Sequence, residues 1–173
     1  FLLAQESGAE ELTAQAMPRG LEAIALPGHF FSMAGYRSDD GVVYLADCLA
    51  SRETLDKYKI VFLYDVAAYL DTLLRVEGMA ADRFVPAHAE VTANIGPLAR
   101  YNRDRTLETA EKILEVCREP SCFEAVLQRL FTDYGLRMDF QQYVLVGSTV
   151  RSYLSWLKDT GMIQASFEDN LLL

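Results

Sequence analysis

In the first two thirds of this chain the apolar residues switch from short strand-like runs to the 3.6-residue period of helices, and that switch restricts it to a layered α/β arrangement. Leu21 to Leu26 is a short apolar run closed by Pro27-Gly28, which predicts a buried strand. Phe30 to Tyr36 predicts a second strand. Ser38-Asp39-Asp40-Gly41 is a turn signal, and Val42 to Leu45 predicts a third strand that ends at Asp47. Beyond it Val66, Tyr69, Leu70, Leu73 and Leu74 recur at helical spacing between Tyr64 and Arg75, with Gly78 as the stop. Arg83 to Val85 predicts a short strand stopped by Pro86. A long helix follows from Ile95 to Cys117, with Pro97 tolerated in its first turn. Residues 1–20 carry Glu6, Glu10 and Glu11 and a break at Pro18 and Gly20, so they are expected to be irregular apart from a short helix around Glu10 to Gln15.

The tail changes character near Glu119-Pro120, which sets expected domains of 1–118 and 119–173. Ser121-Cys122-Phe123-Glu124 matches a capping box and predicts a helix that ends at Gly135. A second tail helix is expected from Phe140 to Asp159, with Val146, Val150, Tyr153, Leu154 and Leu157 inward and Gly161 as its cap. Met162 to Phe167 and Leu171 to Leu173 flank the turn Glu168-Asp169-Asn170 and predict a hairpin. Helices followed by a two-stranded wing is the order of a winged-helix module.

Charge and cysteine usage narrow the partners. The 173 residues carry a net charge of −9, which opposes tight binding to nucleic acid or to anionic membranes. The helix from Phe140 to Asp159 has only Arg151 and Lys158 as bases, a poor phosphate-binding face. A structural, dimerising or substrate-shaping role is expected for the tail instead, with homo-oligomerisation left open. No stretch is long and apolar enough to span a bilayer. Cys48, Cys117 and Cys122 form no even-numbered framework, so a reducing, cytoplasmic setting is expected. Phe1 to Gly8 lacks an initiator Met and the pattern of a signal peptide, and Leu171 to Leu173 is an apolar finish. Both ends read as cuts in a longer polypeptide.

Candidate chemistry concentrates at three points. The chain has two histidines, and each follows a predicted strand through a Pro-x dipeptide: His29 after Pro27-Gly28 and His88 after Pro86-Ala87. Asp47 closes the predicted strand between them. Strand ends are rigid platforms for ligands, and imidazole nitrogen with carboxylate oxygen suits Zn, Fe or Mn. The plainer alternatives are structural or solvated histidines and an Asp47 that caps a helix starting near Cys48 to Glu53. Tyr58, Tyr64 and Tyr69 are candidates to line a cleft, with core packing favoured for Tyr69. Cys48 suits a buried position better than nucleophilic work. Glu90 is either a support for a metal ligand or a solvated carboxylate, and Trp156 is expected to pack.

Pro27-Gly28-His29, Val43-Tyr44-Leu45-Ala46-Asp47 and Val85-Pro86-Ala87-His88 resemble, in order and spacing, the third, fourth and fifth metal motifs of the metallo-β-lactamase superfamily. The resemblance covers about residues 20–118. It continues into a tail similar to the winged-helix module of some members, through Gly135, Thr149 to Leu157 and Gly161-Met162-Ile163. It implies a partial αββα sandwich followed by a mainly helical winged-helix domain. It also implies a hydrolase of esters, thioesters, lactones, amides or phosphodiesters that works through a metal-bound hydroxide on a small-molecule substrate. Two divalent ions are implied, zinc first with iron or manganese as alternatives. His29 would hold one metal, Asp47 would bridge both and help position the nucleophile, and His88 would hold the other. The family's His-x-His-x-Asp-His motif has no counterpart in this sequence, so the chain by itself is expected to be inactive. Ala46 stands where the family usually has Gly, and Ala87 lies within Pro-Ala-His. Two other readings compete: a non-enzymatic winged-helix interaction or regulatory protein, and an obligate partner whose complementing half arrives on another chain.

Overall fold

The computed structural model describes Gly8 and residues 17–173; the short helix expected around Glu10 to Gln15 lies outside them. A mixed four-stranded sheet is built from β1 (Leu21–Ala25), β2 (Ala34–Ser38), β3 (Val42–Ala50) and β4 (Arg83–His88), in that spatial order. The first three strands are antiparallel, and β3 pairs with β4 in parallel. Between β3 and β4 run α1 (Arg52–Tyr58) and α2 (Val66–Glu77). After β4 come α3 (Gly96–Val116), α4 (Phe123–Asp133), α5 (Phe140–Asp159) and the hairpin of β5 (Phe167–Glu168) with β6 (Leu171–Leu172). No helix among the described residues is long and apolar enough to cross a membrane.

Alternation along the strands assigns the two faces of the sheet. Val43, Leu45 and Phe84 are buried against Val66, Tyr69, Leu73 and Val76 of α2 in one core. Tyr44, between Val43 and Leu45, points the other way and is exposed. Tyr36, Ala23 and Val85 stand beside it in register on that face. Contrary to the expectation of burial, β1 is an edge strand, exposed along most of its length. Only Leu26, just past its end, is fully enclosed. The second strand starts at Ala34 rather than Phe30, because Phe30 to Met33 make the turn that lets Leu26 donate its N–H to the Met33 carbonyl at 2.8 Å.

Helix starts follow local chemistry. Asp65 caps α2 by accepting from Ala68 N at 2.9 Å, and Asp139 caps α5 by accepting from Gln142 N. Ser51 caps α1 through Thr54 N, so the helix that starts in the Cys48 to Glu53 window is capped by Ser51 and not by Asp47. The capping box at Ser121 does not form. The capping position falls on Cys122, one residue later, and the Ser121 hydroxyl turns back to the Glu119 carbonyl at 2.9 Å. The terminal hairpin is shorter than expected and begins at Phe167. Its turn places Asp169 at φ 49° and Asn170 at φ 64°, the left-handed pair that two-residue hairpins require and that Asp and Asn tolerate.

One hydrophobic core runs from Leu26 through Ile113 to Leu127, Leu130, Val150 and Leu157. Polar bonds tie the tail to the segment between α1 and α2 as well. Thr149 Oγ1 of α5 accepts from Leu63 N at 3.1 Å, and Ser152 Oγ donates to the Leu63 carbonyl at 3.1 Å.

Candidate functional site

Three elements of local strain and pairing aim the candidate residues. His29 follows Gly28, whose φ of 128° is open to glycine alone. The Gly28 carbonyl accepts from both Tyr64 N and Asp65 N at 3.0 Å, and a Cβ at this position would fall 2.4 Å from Tyr69 Cα. The loop carrying His29 is thereby pressed onto the start of α2. Asp47 does not lie past the end of its strand, as expected, but inside the nine-residue β3. The strand continues through it because Ala46 takes a left-handed conformation, φ 47°, that inserts a bulge instead of a stop. His88 likewise is the last residue of β4, not a loop residue after it. Pro86 does not stop the strand, since it occupies an edge strand opposite the bulge, where no ladder N–H is needed.

The bulge sets the spacing between the last two residues. Ala46 pairs with Pro86 and Ala50 with His88, so four steps along β3 match two along β4. The slack turns the Asp47 carboxylate toward His88, and Oδ1 lies 3.1 Å from His88 Nε2, with the side chains 35% and 65% exposed. Ala50, the register partner of His88, is pinned from behind. The buried Asn102 amide accepts from Ala50 N and donates to the Ala50 carbonyl, both at 2.9 Å.

His29, Asp47 and His88 line one cavity of about 240 Å³. Burial lowers the His29 pKa from its ordinary value, the Asp47 charge and the Phe62 backbone oppose that shift, and His88 adds to it. His29 also stands edge-on to the rings of Phe30 and Phe62, at 4.9 and 5.5 Å between centroids. The rest of the lining is mainly apolar, with Tyr58, Ile60 and Phe62 from the α1–α2 region and Leu145, Val146 and Thr149 from α5. Tyr69 is a buried core residue whose hydroxyl donates to Asn102 Oδ1 at 3.3 Å, and it lines the cavity floor. Tyr64 belongs to the exposed aromatic cluster with Phe30, Phe31 and Phe62. Cys48 is fully buried, and burial with the Asp47 charge pushes its thiol up to about 12, which leaves it no nucleophilic role. Glu90 is exposed and is not among the residues lining the cavity, and Trp156 packs against the core. The sequence reading misses the α5 wall. Its only local signal is that Gln142, Leu145 and Thr149 share a helix face beside the inward stripe.

As a donor set the site is partial. The 3.1 Å between Asp47 Oδ1 and His88 Nε2 suits two ligands of a single ion, each bonded at about 2.0–2.2 Å. Among the described residues, however, no group of three or more His, Cys, Asp or Glu is close enough to hold an ion.

The fold is that of metallo-β-lactamase family proteins. A metallo-β-lactamase family protein from Thermus thermophilus superposes with a TM-score of 0.68 at 16% sequence identity, over 88% of this chain and 48% of the other. A β-lactamase domain protein from Burkholderia ambifaria superposes with a TM-score of 0.71 at 18% identity, over 98% of this chain and 51% of the other. The chain therefore spans about half the length of these solved structures. No protein-family model matches the sequence, and no curated protein does.

Proposed function

We propose that this chain supplies one half of the active site of a metal-dependent hydrolase of the metallo-β-lactamase superfamily, the other half coming from polypeptide beyond these residues. The observation that carries the reading is the meeting of His29, Asp47 and His88 at one cavity within a fold shared with metallo-β-lactamase family proteins. In this reading Asp47 and His88 are metal ligands and His29 is a third that needs a completing donor set. Bound divalent ions would lower the pKa of water and polarise the scissile group. Asp47 would also help position the nucleophile, and the apolar side chains of Ile60, Phe62 and Leu145 would exclude bulk water around an ester, thioester, lactone, amide or phosphodiester. Residues 119–173 act as a winged-helix-like unit whose α5 shapes that apolar lining, which agrees with the contribution of Leu145, Val146 and Thr149 to the cavity.

The test is a cobalt(II) titration of the chain, followed by its visible absorption. Weak binding with one dominant site is expected, abolished in Asp47→Ala and His88→Ala and weakened in His29→Ala. Binding that survives Asp47→Ala and His88→Ala together would remove the reading. In the intact polypeptide the same substitutions are expected to lower hydrolysis of an aryl ester by at least about 100-fold, in line with the catalytic weight of metal sites and their supports.

A further inference from the structure

A second cavity, sharing no lining residue with the first, lies between the end of α3, the start of α4, the C-terminal half of α5 and the terminal hairpin. We propose that it binds an acyl-chain carboxylate, a single-chain amphipathic anion. At about 550 Å³ it falls within the range of roughly 300–1,000 Å³ usual for small-molecule sites. Its walls are mainly apolar, with Val126, Leu154, Ile163 and Leu172 facing the space.

The charge at this cavity runs against the rest of the chain. Arg118, Arg151 and Lys158 line it, with Glu119 the only acid, in a protein of net charge −9. Arg151 and Lys158 are seven residues apart on α5 and so share a face. The Arg151 guanidinium lies over the Phe123 ring at 3.5 Å from its centroid and donates to the Gly147 carbonyl at 3.4 Å. These contacts hold its position without neutralising its charge. The other arginines of α3 and α4 that pair with carboxylates, Arg100, Arg103, Arg105 and Arg129, do so at 2.8 Å or less. Among the described residues neither Arg118 nor Arg151 has such a partner. Lys158 meets only Asp159, at 3.5 Å with both side chains more than half exposed, a pair worth little.

Two guanidinium groups without a carboxylate partner and an ammonium, lining a mainly apolar chamber, match a carboxylate head and a hydrocarbon tail. The forked donors of arginine suit the head, and the chamber suits the tail. A nucleic-acid strand would use the same cations, but it would leave the apolar interior unfilled.

The experiment is calorimetric titration of the chain with decanoate, decan-1-ol, decyltrimethylammonium and a single-stranded oligonucleotide. Decanoate is expected to bind with one-to-one stoichiometry, about tenfold or more tightly than the alcohol or the cation, where tenfold corresponds to about 1.4 kcal/mol. Lys158→Gln and Arg118→Gln are each expected to weaken decanoate and leave the weak alcohol binding unchanged. Arg151→Gln is expected to weaken it further, and circular dichroism reports whether that variant folds. The proposal fails if decanoate does not bind, if alcohol and carboxylate bind equally, if the Lys158 and Arg118 variants are indifferent, or if the oligonucleotide binds more tightly than decanoate. None of these readouts depends on the metal site, so this site and the hydrolase reading stand or fall separately.

Discussion

Asp47 and His88 are brought within 3.1 Å of each other by a pairing irregularity: six steps of β3 from Tyr44 to Ala50 match three of β4 from Val85 to His88. A regular parallel ladder would match residue for residue, so the extra length of β3 must buckle. The buckle is where the carboxylate emerges. It depends on Ala46 holding a left-handed backbone that costs an alanine about 1–2 kcal/mol.

Ala46→Gly relieves that cost, partly offset by the greater freedom glycine has in the unfolded chain. A net stabilisation of about 0.5–1 kcal/mol is expected, read as an increased urea midpoint with an unchanged slope. A β-branched residue here, Ala46→Val, is expected to destabilise and to loosen cobalt binding by displacing Asp47.

Asn102→Ala removes the side chain that satisfies both backbone groups of Ala50 and also receives the Tyr69 hydroxyl. Each buried group left without a partner costs about 1–3 kcal/mol. A loss of about 3 kcal/mol is expected in equilibrium unfolding. Asn102→Asp is expected to be destabilising too, because a carboxylate cannot donate to the Ala50 carbonyl.

Glu77, the last residue of α2, bonds to Arg100 at 2.6 Å and to Arg103 at 2.6 Å on α3. The hydrogen bond from Arg100, with the charges of both arginines, holds its carboxyl below the usual carboxylate range against an opposing contribution from burial. A group whose pKa is depressed on folding stabilises the protein above its unfolded pKa, and the benefit disappears as pH falls through the folded value. The melting temperature is therefore expected to fall as pH drops below the ordinary glutamate value of about 4.3, and Glu77→Gln is expected to flatten that part of the profile. An unchanged acid limb in the variant would show that other carboxylates account for it.

Cys48 is enclosed, and its thiol is pushed up to about 12. Iodoacetamide at pH 8 is expected to leave it unmodified in the folded chain and to label it at the rate of global opening when urea is added. Intact-mass analysis with peptide mapping distinguishes it from Cys117 and Cys122. Rapid native labelling would mean that β3 opens locally.

The elements most legible in the sequence are those whose signals are local. The helix from Phe140 to Asp159 carries its own cap in Asp139 and a continuous stripe from Val146 to Leu157, and it forms over the expected residues. The last hairpin is announced by Asp169-Asn170, although its strands are only two residues each. His29, Asp47 and His88 stand out by type and spacing. The bulge that orients Asp47 does not, since an alanine gives no hint of a left-handed backbone. The exposure of β1 is equally hidden: Leu21 to Leu26 reads as buried because hydropathy does not say which strand lies at the edge. The α5 wall is invisible for a different reason. Thr149 meets Leu63 across 86 residues of chain, and no local pattern encodes a contact of that range.

The side of the sheet that bears Ala23, Tyr36, Tyr44 and Val85 has a consequence for handling the protein. Among the described residues that plane is partly exposed, with Ala23 and Tyr44 open and Tyr36 and Val85 half-buried. A partly exposed aromatic and aliphatic plane favours adherence to hydrophobic resins, enhanced fluorescence of dyes such as anilinonaphthalene sulfonate, and self-association as concentration rises. Mild non-ionic detergent, which competes for that plane without touching the ion pairs, is the additive that should keep it in solution as a single species.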